Sequence, residues 1–226
     1  MNLVFSGLEH PIVLEEGCAT TLQVESPALF SRFVESLASG EGRYAIEPYT
    51  FWDSDKELVP KDILLMVIDP FSLPWDNRAL MGQIVKKIER EMIEDEDIRI
   101  LIEEAEQTFA SRLISLTGGL SADYSFGVEW DLAKSLKMLG FGAMPSSSEK
   151  LVDSLIAFLS LALDAGFNKG IAFVNLKTFL TKNELNLLLE HVFYTKLKVL
   201  LLENKIDTEE HKYERKYIVD QHFLEY

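Results

Sequence analysis

The chain has 226 residues, of which 22 are lysine or arginine and 37 are aspartate or glutamate, so its formal net charge is −15. This charge excludes a surface that binds polyanions all over, because attraction to phosphate needs a positive potential at least locally. Residues 1–110 carry 22 acidic and 9 basic side chains, whereas residues 111–226 carry 15 and 13. We therefore expect any anion-binding surface in the second half.

Composition and cysteine content are typical of a cytoplasmic globular protein. With 47% hydrophobic and 26% charged residues, the chain is not of the disordered type, and its length suits one large domain or two small ones. The single cysteine, Cys18, excludes an internal disulfide framework and fits a reducing compartment. No signal peptide is evident, and the most apolar stretch, Leu151 to Phe167, contains two aspartates. We expect no membrane partner.

The first third predicts several strands and one helix. Ser26 is an N-cap followed by proline, and apolar spacing continues the helix from Pro27 to Ser39. Tyr44 to Tyr49 is a predicted strand, and Ile63 to Ile68 is continuously apolar, as in a central strand buried on both faces. Three short β-favouring runs at the start predict an antiparallel meander: Asn2 to Phe5, Ile12 to Leu14 and Ala19 to Val24.

The middle of the chain predicts helices. From Asp76 to about Thr117, apolar residues recur at helical spacing in two sets, and the acidic turn Glu94 to Asp97 between them can cap the second. Each helix would reach roughly 30 Å at about 1.5 Å per residue, which exceeds what a small sheet needs and predicts a protruding helical arm. Two more helices are predicted at Trp130 to Leu139 and at Glu149 to Ala165, the latter with a capping box starting at Ser146.

The last third predicts a βαβ unit. Gly170 to Leu176 is a buried type of strand, a Thr-x-x-Glu capping box opens a helix from Thr181 to about Tyr194, and Lys198 to Leu202 is a second apolar strand. The two strands should therefore be parallel. His211 to Lys216 has mixed charge and is predicted as exposed loop, with a last strand at Ile218 to Phe223. Together these elements predict an α/β fold with a central, largely parallel sheet.

Polar residues at two strand ends invite comparison with nucleotide-binding enzymes. Asp69 and Asn175 each follow an apolar strand, as does the magnesium-binding Asp of a P-loop enzyme. However, no Gly-x-x-x-x-Gly-Lys-Ser/Thr loop occurs to hold phosphates. We interpret both residues as side chains that hydrogen-bond local turns. The histidines also lack the spacing of a metal or nucleophile site, so no catalytic residue is predicted: His10, His191, His211 and His222.

One acidic loop is a candidate cation site. Asp123, Glu129 and Asp131 lie within nine residues, just before a predicted helix. Calcium takes oxygen ligands from such loops, although the strict pattern of helix-loop-helix calcium proteins is absent. The alternative is that these carboxylates lie near a helix start and face water.

The best candidates for phosphate contacts lie in residues 111–150, where four acidic and four basic side chains balance. The four basic residues are Arg112, Lys134, Lys137 and Lys150. Lys134 and Lys137 are three apart and share one face of the predicted helix. A DNA-backbone contact would explain these residues, and a solvated surface is the alternative.

The order and spacing of these features resemble the Csn-two (Csn2) family, the small accessory proteins of type II-A CRISPR systems, over essentially the full chain. No single motif is specific on its own. The matching segments are the start Asn2 to Phe5 with Leu8, Glu9, Pro11 and Ile12, the early helix around Phe30 to Val34, the strand Ile63 to Asp69, the long helical pair, Gly170 to Glu184, Lys198 to Glu203, and Tyr217 to Leu224.

The resemblance implies a degenerate P-loop-like α/β head, formed by residues 1–72 and 141–226, and a protruding helical leg, formed by residues 73–140. It implies a non-catalytic homotetrameric ring that binds double-stranded DNA ends through a basic central channel, takes structural calcium and assists spacer acquisition. The expected partners are double-stranded DNA, other copies of the chain, the spacer-integrase complex and the type II effector nuclease. The acidic loop here holds fewer carboxylates than is usual in the family.

Two other functions remain open. One is a metal-dependent nuclease or divergent NTPase that uses Asp69 and the acidic loop. The other is a pure assembly scaffold that recruits the effector nuclease or the spacer-integrase complex through its acidic leg.

Overall fold

The computed structural model describes residues 1–122, 124, 131–144, 150–222 and 224–225. The chain forms two compact units: unit 1 comprises Met1–Trp75 and Met144–Tyr226, and unit 2 comprises Asp76–Ala143. The predicted capping box that starts at Ser146 lies outside the described residues.

The secondary structure alternates between strands and helices in unit 1 and is helical in unit 2. The strands are β1 (Asn2–Phe5), β2 (Ile12–Val13), β3 (Ala19–Val24), β4 (Tyr49–Asp53), β5 (Lys56–Leu58), β6 (Leu64–Val67), β7 (Gly170–Val174), β8 (Lys198–Glu203) and β9 (Glu214–Val219). The helices are α1 (Pro27–Ser39), α2 (Arg78–Glu94), α3 (Glu96–Thr117), α4 (Leu132–Met138), α5 (Leu151–Asp164) and α6 (Lys182–Thr195), with short 3-10 helices at Gly42–Tyr44, Pro60–Asp62 and Leu176–Phe179.

A five-stranded parallel sheet organises unit 1. Its strand order is β6-β7-β8-β3-β9, and every neighbouring pair is parallel. The strands β7 and β8 are joined by α6, which confirms the predicted βαβ unit. The fold is therefore mixed α/β with a central parallel sheet, as the sequence predicts.

The predicted meander is wrong for its third strand. The strands β1 and β2 do pair antiparallel, but they continue into β4 and β5 as a second sheet of order β2-β1-β4-β5. β3 instead lies between β8 and β9, with all six residues buried. Its polar side chains find partners, since the Thr20 hydroxyl donates to the Val13 carbonyl at 2.8 Å and the Gln23 amide donates to Asp207 at 2.7 Å. These partners let a strand containing polar residues occupy the centre of a sheet.

Two other strand predictions are also corrected. β6 is an edge strand and only partly buried, because a continuous apolar run does not reveal whether a second neighbour exists. The segment predicted as a strand from Tyr44 to Tyr49 begins instead in a 3-10 helix, and β4 starts only at Tyr49. Pro48, just before β4, has no amide hydrogen to donate to a sheet.

The last strand lies earlier than predicted. β9 spans Glu214–Val219 rather than Ile218 to Phe223, so half of the segment predicted as exposed loop at His211 to Lys216 is strand. The charged side chains of Glu214 and Lys216 form ion pairs within unit 1. Charged residues are typical of exposed loops, so composition alone does not predict a strand at these positions.

One apolar core joins the two sheets through α1. Phe5 of β1 and Phe33 of α1 stack with their ring centroids 4.0 Å apart, and both side chains are buried. The prediction of α1 is confirmed at both ends, because the Ser26 hydroxyl caps Leu29 N–H and Gly40 ends the helix at φ 68°. On unit 1, α5 and α6 also pack against one another.

Unit 2 contains the predicted helical pair. α2 is capped by Asn77, whose side-chain oxygen accepts from the amides of Ala79 and Leu80. α3 is capped by Asp95, whose carboxylate accepts from the Ile98 amide at 3.0 Å, as the acidic turn predicts. α2 packs against α3 and α4. None of the 22 residues of α3, all of which are described, is buried.

Candidate nucleic-acid interface

The four predicted phosphate contacts are all exposed. Arg112 lies on α3 beside a shallow groove that also contains Glu104 and Ser111, and it forms no ion pair with a described residue. Lys134 and Lys137 lie on α4, three residues apart and therefore on one face of the helix. The structure thus places three of the four on unit 2.

The fourth predicted contact, Lys150, belongs to unit 1. It is the N-cap residue of α5 and is exposed. Hydrogen bonds from Thr181 hold the pKa of the nearby Glu184 carboxyl below its usual value, and the positive charge of Lys150 adds to this effect. Lys150 is therefore close to the start of α6.

The predicted calcium ligands are only partly described. Asp123 and Glu129 lie outside the described residues, whereas Asp131 caps α4. The Asp131 carboxylate accepts from the Lys134 amide at 2.9 Å and lies 3.4 Å from the Lys134 ammonium, and the amide hydrogen bond lowers the pKa of Asp131. Both oxygens therefore have local partners. Within the described ranges, no three acidic, histidine or cysteine side chains are grouped as metal ligands.

The two polar residues at strand ends, Asp69 and Asn175, both accept hydrogen bonds from backbone amides. The carboxylate of Asp69 accepts from the Phe71 amide at 3.0 Å and from the Ser72 hydroxyl at 2.7 Å, and these bonds lower its pKa. Asn175 adopts a left-handed conformation, and its side-chain oxygen accepts from the Asn204 amide at 3.0 Å. The prediction of a local turn contact is therefore confirmed for Asp69 and wrong for Asn175, whose side chain instead bonds the segment after β8, 29 residues further along the chain.

The histidines have separate surroundings. His10 lies 3.2 Å from a carboxylate oxygen of Glu225, and His211 lies 2.8 Å from the side-chain oxygen of Asn186. His191 lies 3.3 Å from the Ser160 hydroxyl, and burial lowers the pKa of His191.

A buried polar cluster on unit 1 is absent from the sequence-based predictions. We define it by Lys177, Glu203, Asp207, Glu214 and Lys216. The Lys177 ammonium donates to Asp207 at 2.6 Å and to Glu214 at 3.0 Å, and the Lys177 backbone amide donates to Glu203 at 2.9 Å. Lys216 bonds the second oxygen of Asp207. The cluster therefore connects the segments after β7 and β8 to β9.

Burial strongly affects the charges of this cluster. The side chains of Lys177 and Glu214 are 10% and 1% exposed. Burial raises the pKa of Glu203 to about 7, whereas hydrogen bonds from Lys177 and Lys216 outweigh the burial of Asp207 and lower its pKa to about 2. One oxygen of Glu214 has no hydrogen-bond partner among the described residues and lies 3.8 Å from the Lys216 ammonium.

This cluster is not evident in the sequence because its members come from distant segments. The alternation of Glu214, Lys216 and Ile218 along β9 is the signal that could have indicated it, since alternate residues of a strand face the same side. A prediction of loop for His211 to Lys216 removes that signal.

None of the helices in the described ranges has both the length and the apolar content needed to cross a membrane.

Comparison with known proteins identifies the family. The family model for CRISPR-associated protein (Cas_Csn2) matches residues 46–223. The CRISPR-associated protein Csn2 of Enterococcus faecalis is 23% identical over 226 residues, which cover 99% of this chain and 97% of the relative. The crystal structure of Stu0660 of Streptococcus thermophilus shares the fold, with a TM-score of 0.63 and 14% identity over 97% of this chain and 74% of that one. The chain therefore belongs to the Cas_Csn2 family of CRISPR-associated proteins, as its sequence features indicate.

Proposed function

We propose that this protein binds the ends of double-stranded DNA without cleaving them and acts in CRISPR spacer acquisition as a homotetrameric ring. The observation that carries the proposal is the exposure of Arg112, Lys134, Lys137 and Lys150 on a member of a CRISPR-associated family. Cations that reach water can contact phosphate oxygens whatever the base sequence. The expected partners are DNA, other copies of the chain, the spacer-integrase complex and the type II effector nuclease.

The net negative charge of a single protomer repels DNA, whereas an assembly of several copies can create a local positive potential that attracts it. At a net charge of −15, the average field repels phosphate. Several copies that direct the same few cations into one enclosed channel concentrate a positive potential there. The DNA-binding form is therefore the oligomer.

An exposed apolar face of α3 supports self-association. Ile98, Leu101, Phe109 and Leu116 are 49%, 65%, 55% and 75% exposed, and helical geometry places them within about 80° of one another around the axis. Contiguous apolar surface of this kind typically marks a protein contact. Arg112 falls in the same sector, so self-association through α3 brings a phosphate-binding cation beside the contact.

Salt dependence of DNA binding tests the proposal. Linear duplex should bind at low salt with little base preference, and the logarithm of affinity should fall with the logarithm of salt by about 0.9 per phosphate contact. The double variant Lys134→Glu, Lys137→Glu should lower affinity and reduce the salt slope by about 1.8 per protomer. Absence of duplex binding at low salt by a protein that is tetrameric contradicts the proposal.

The scaffold function is the second candidate, since the apolar face of α3 would also suit a partner protein. It predicts that charge reversal at Lys134 and Lys137 leaves DNA affinity unchanged. The nuclease or NTPase function predicts metal-dependent turnover that disappears in Asp69→Ala. The turn hydrogen bonds of Asp69 favour a local structural role for this residue instead.

Calcium binding remains a prediction that depends on Asp123 and Glu129 together with Asp131. Calcium would bridge these carboxylates through oxygen ligands. The oligomeric mass, measured with calcium and with a chelator, tests whether calcium affects assembly.

A further inference from the structure

A second group of exposed cations lies on unit 1, next to aromatic rings. We name Phe193, Tyr194, Lys196, Lys212 and Tyr213 the aromatic–lysine cluster. The rings of Phe193 and Tyr213 stack with centroids 4.2 Å apart and an interplanar angle of 18°. The Lys196 ammonium lies 4.2 Å from the Phe193 centroid, and the Lys212 ammonium lies 4.9 Å from the Tyr213 centroid. The two stacked rings thus have an ammonium group over each of them.

Tyr194 extends this cluster towards solvent. Its ring meets Phe193 at an interplanar angle of 71° with centroids 5.3 Å apart. It is 74% exposed, so most of the aromatic surface is available to a ligand.

The backbone is strained where it presents Lys196. This residue ends α6 at φ 58°, a left-handed conformation in which glycine is strongly preferred over lysine. Gly17, itself at φ 73°, packs so closely that a Cβ there would lie 3.1 Å from the Lys196 Cδ atom. Strain that the surrounding structure maintains is a reason to look for a function of the side chain.

The two lysines of the cluster keep their charges available. Neighbouring Lys198 pairs with Glu16 at 2.8 Å, and Arg215 pairs with Glu15 at 2.6 Å. Neither Lys196 nor Lys212 forms an ion pair with a described residue. Carboxylates are nonetheless close, because the pKa of Glu16 is lowered by its hydrogen bond from Lys198 and also by the charge of Lys196. A hydrogen bond to Tyr213, together with the charge of Glu190, raises the pKa of Lys212. The two ammonium groups are therefore exposed and not held in an ion pair with a described residue.

We propose that the aromatic–lysine cluster binds unpaired nucleotides at the end of a DNA strand, with Lys196 and Lys212 contacting phosphate and Tyr194 stacking on a base. Sites for single-stranded nucleic acid combine these two kinds of contact. A base inside a duplex is stacked on both faces, and the terminal pair of a blunt end exposes one face that is fixed by pairing, whereas an unpaired base can turn out of the stack to meet Tyr194. Ammonium groups held over rings also lose less freedom when phosphate binds. This inference rests on the proposed function and adds a preference for strand ends that carry an overhang.

Three DNA probes test the inference at low salt: a blunt duplex, the same duplex with a short single-stranded overhang, and the single strand alone. The wild-type protein should bind the overhang duplex more tightly than the blunt one. Tyr194→Ala should weaken overhang binding by about tenfold, the scale of one base stack, and leave blunt-duplex affinity unchanged. Lys196→Gly should also remove the preference while keeping or raising thermal stability, because glycine fits the left-handed conformation.

Matched variants control for the loss of an exposed tyrosine or lysine elsewhere on unit 1. Tyr44→Ala removes a ring that is 92% exposed, and Lys205→Ala removes an exposed lysine from the segment after β8. Both should retain the overhang preference of the wild-type protein.

The outcomes separate this inference from the proposed function. Equal affinity for blunt and overhang duplexes overturns the inference and leaves duplex-end binding standing. Binding of the single strand alone, weakened about tenfold by Tyr194→Ala, supports the inference even if blunt duplex does not bind. Failure to bind any of the three probes overturns both. A change in oligomeric mass in Tyr194→Ala, with overhang affinity unchanged, identifies the cluster as a contact between copies and overturns the inference.

Discussion

Lys177 is the residue on which the buried polar cluster most depends. Its ammonium, 10% exposed, neutralises Glu214, which is 1% exposed. A buried ion pair is weak evidence of stability in itself, because desolvation offsets the attraction between the charges. Removing only Lys177 is different, since Glu214 then stays buried with only the more distant Lys216 ammonium, at 3.8 Å, to compensate its charge.

Lys177→Met should therefore lower the free energy of unfolding by about 3–5 kcal/mol, as measured by urea denaturation. Lys182→Met is the matched control, because Lys182 pairs with Glu209 but is 61% exposed. The control should cost less than about 1 kcal/mol. Similar losses in the two variants contradict the prediction.

Glu203 should make stability depend on pH in an unusual direction. Burial raises its pKa to about 7 from 4.5, so the folded protein holds a proton that the unfolded chain releases. The contribution of Glu203 to the free energy of unfolding is therefore largest below about pH 4.5 and falls by about 3 kcal/mol as pH rises from there through 7. Asp207 has a pKa of about 2, and its opposite effect is confined to more acidic solutions.

The variant Glu203→Gln isolates this effect, because glutamine preserves the side-chain oxygen that accepts from the Lys177 amide. The difference in unfolding free energy between the wild-type protein and the variant should change between about pH 5 and pH 8. Parallel curves over that interval would show that Glu203 titrates normally.

At the scale of elements, local signals predict local structure well. Thr181 and Glu184 form the predicted capping box, in which the Thr181 hydroxyl accepts from the Glu184 amide and the Glu184 carboxylate accepts from the Thr181 amide. Ser26 and Pro27 likewise mark the start of α1. In both cases the groups that stabilise the start of the helix lie within one turn of it, so a short stretch of sequence is enough to predict where the helix begins.

The capping box can be tested directly. Thr181→Ala removes the hydroxyl that satisfies an otherwise unpaired amide, and should cost about 1 kcal/mol of unfolding free energy. Thr178→Ala, at an exposed position in the preceding 3-10 helix, is the control and should change stability by less than about 0.5 kcal/mol. A loss in the control as large as that in Thr181→Ala contradicts this assignment.

Sheet membership is less predictable because it depends on distant neighbours. β3 follows β2 closely in sequence, yet it pairs with β8 and β9, about 180 to 200 residues further along the chain. The buried polar cluster is not predictable from the sequence either, because its members also lie far apart along the chain. Lys177 and Glu214 are 37 residues apart, and only the parallel sheet brings them together.

For the candidate nucleic-acid interface, the sequence predicts which basic residues are candidates but not where they lie relative to one another. The sequence predicts Arg112, Lys134, Lys137 and Lys150 as phosphate contacts because they are the basic residues of a charge-balanced stretch, and the structure shows that they are exposed. The sequence contains no comparable signal for the aromatic–lysine cluster. That cluster needs the stack of Phe193 on Tyr213, which joins the end of α6 to the residue before β9.

At the scale of the whole molecule, net charge opposes assembly and apolar surface favours it. Copies that each carry −15 repel one another, and salt screens this repulsion while weakening contacts to phosphate. If α3 supplies the contact, higher salt should favour the oligomer and disfavour its DNA complex. A titration with salt should therefore distinguish the proposed self-association from the proposed DNA binding.

The double variant Leu101→Glu, Leu116→Glu tests whether α3 supplies that contact. Both side chains are mostly exposed, so the fold should tolerate the change, whereas two carboxylates in an interface would remain desolvated without partners. Sedimentation should show loss of the oligomer, and duplex affinity should fall with it although no predicted phosphate contact is altered. Val59→Glu, at a position 64% exposed on unit 1, should leave both properties unchanged. If the double variant still forms the wild-type oligomer, α3 does not hold the copies together, and its apolar face is then available to the partner protein that the scaffold function requires.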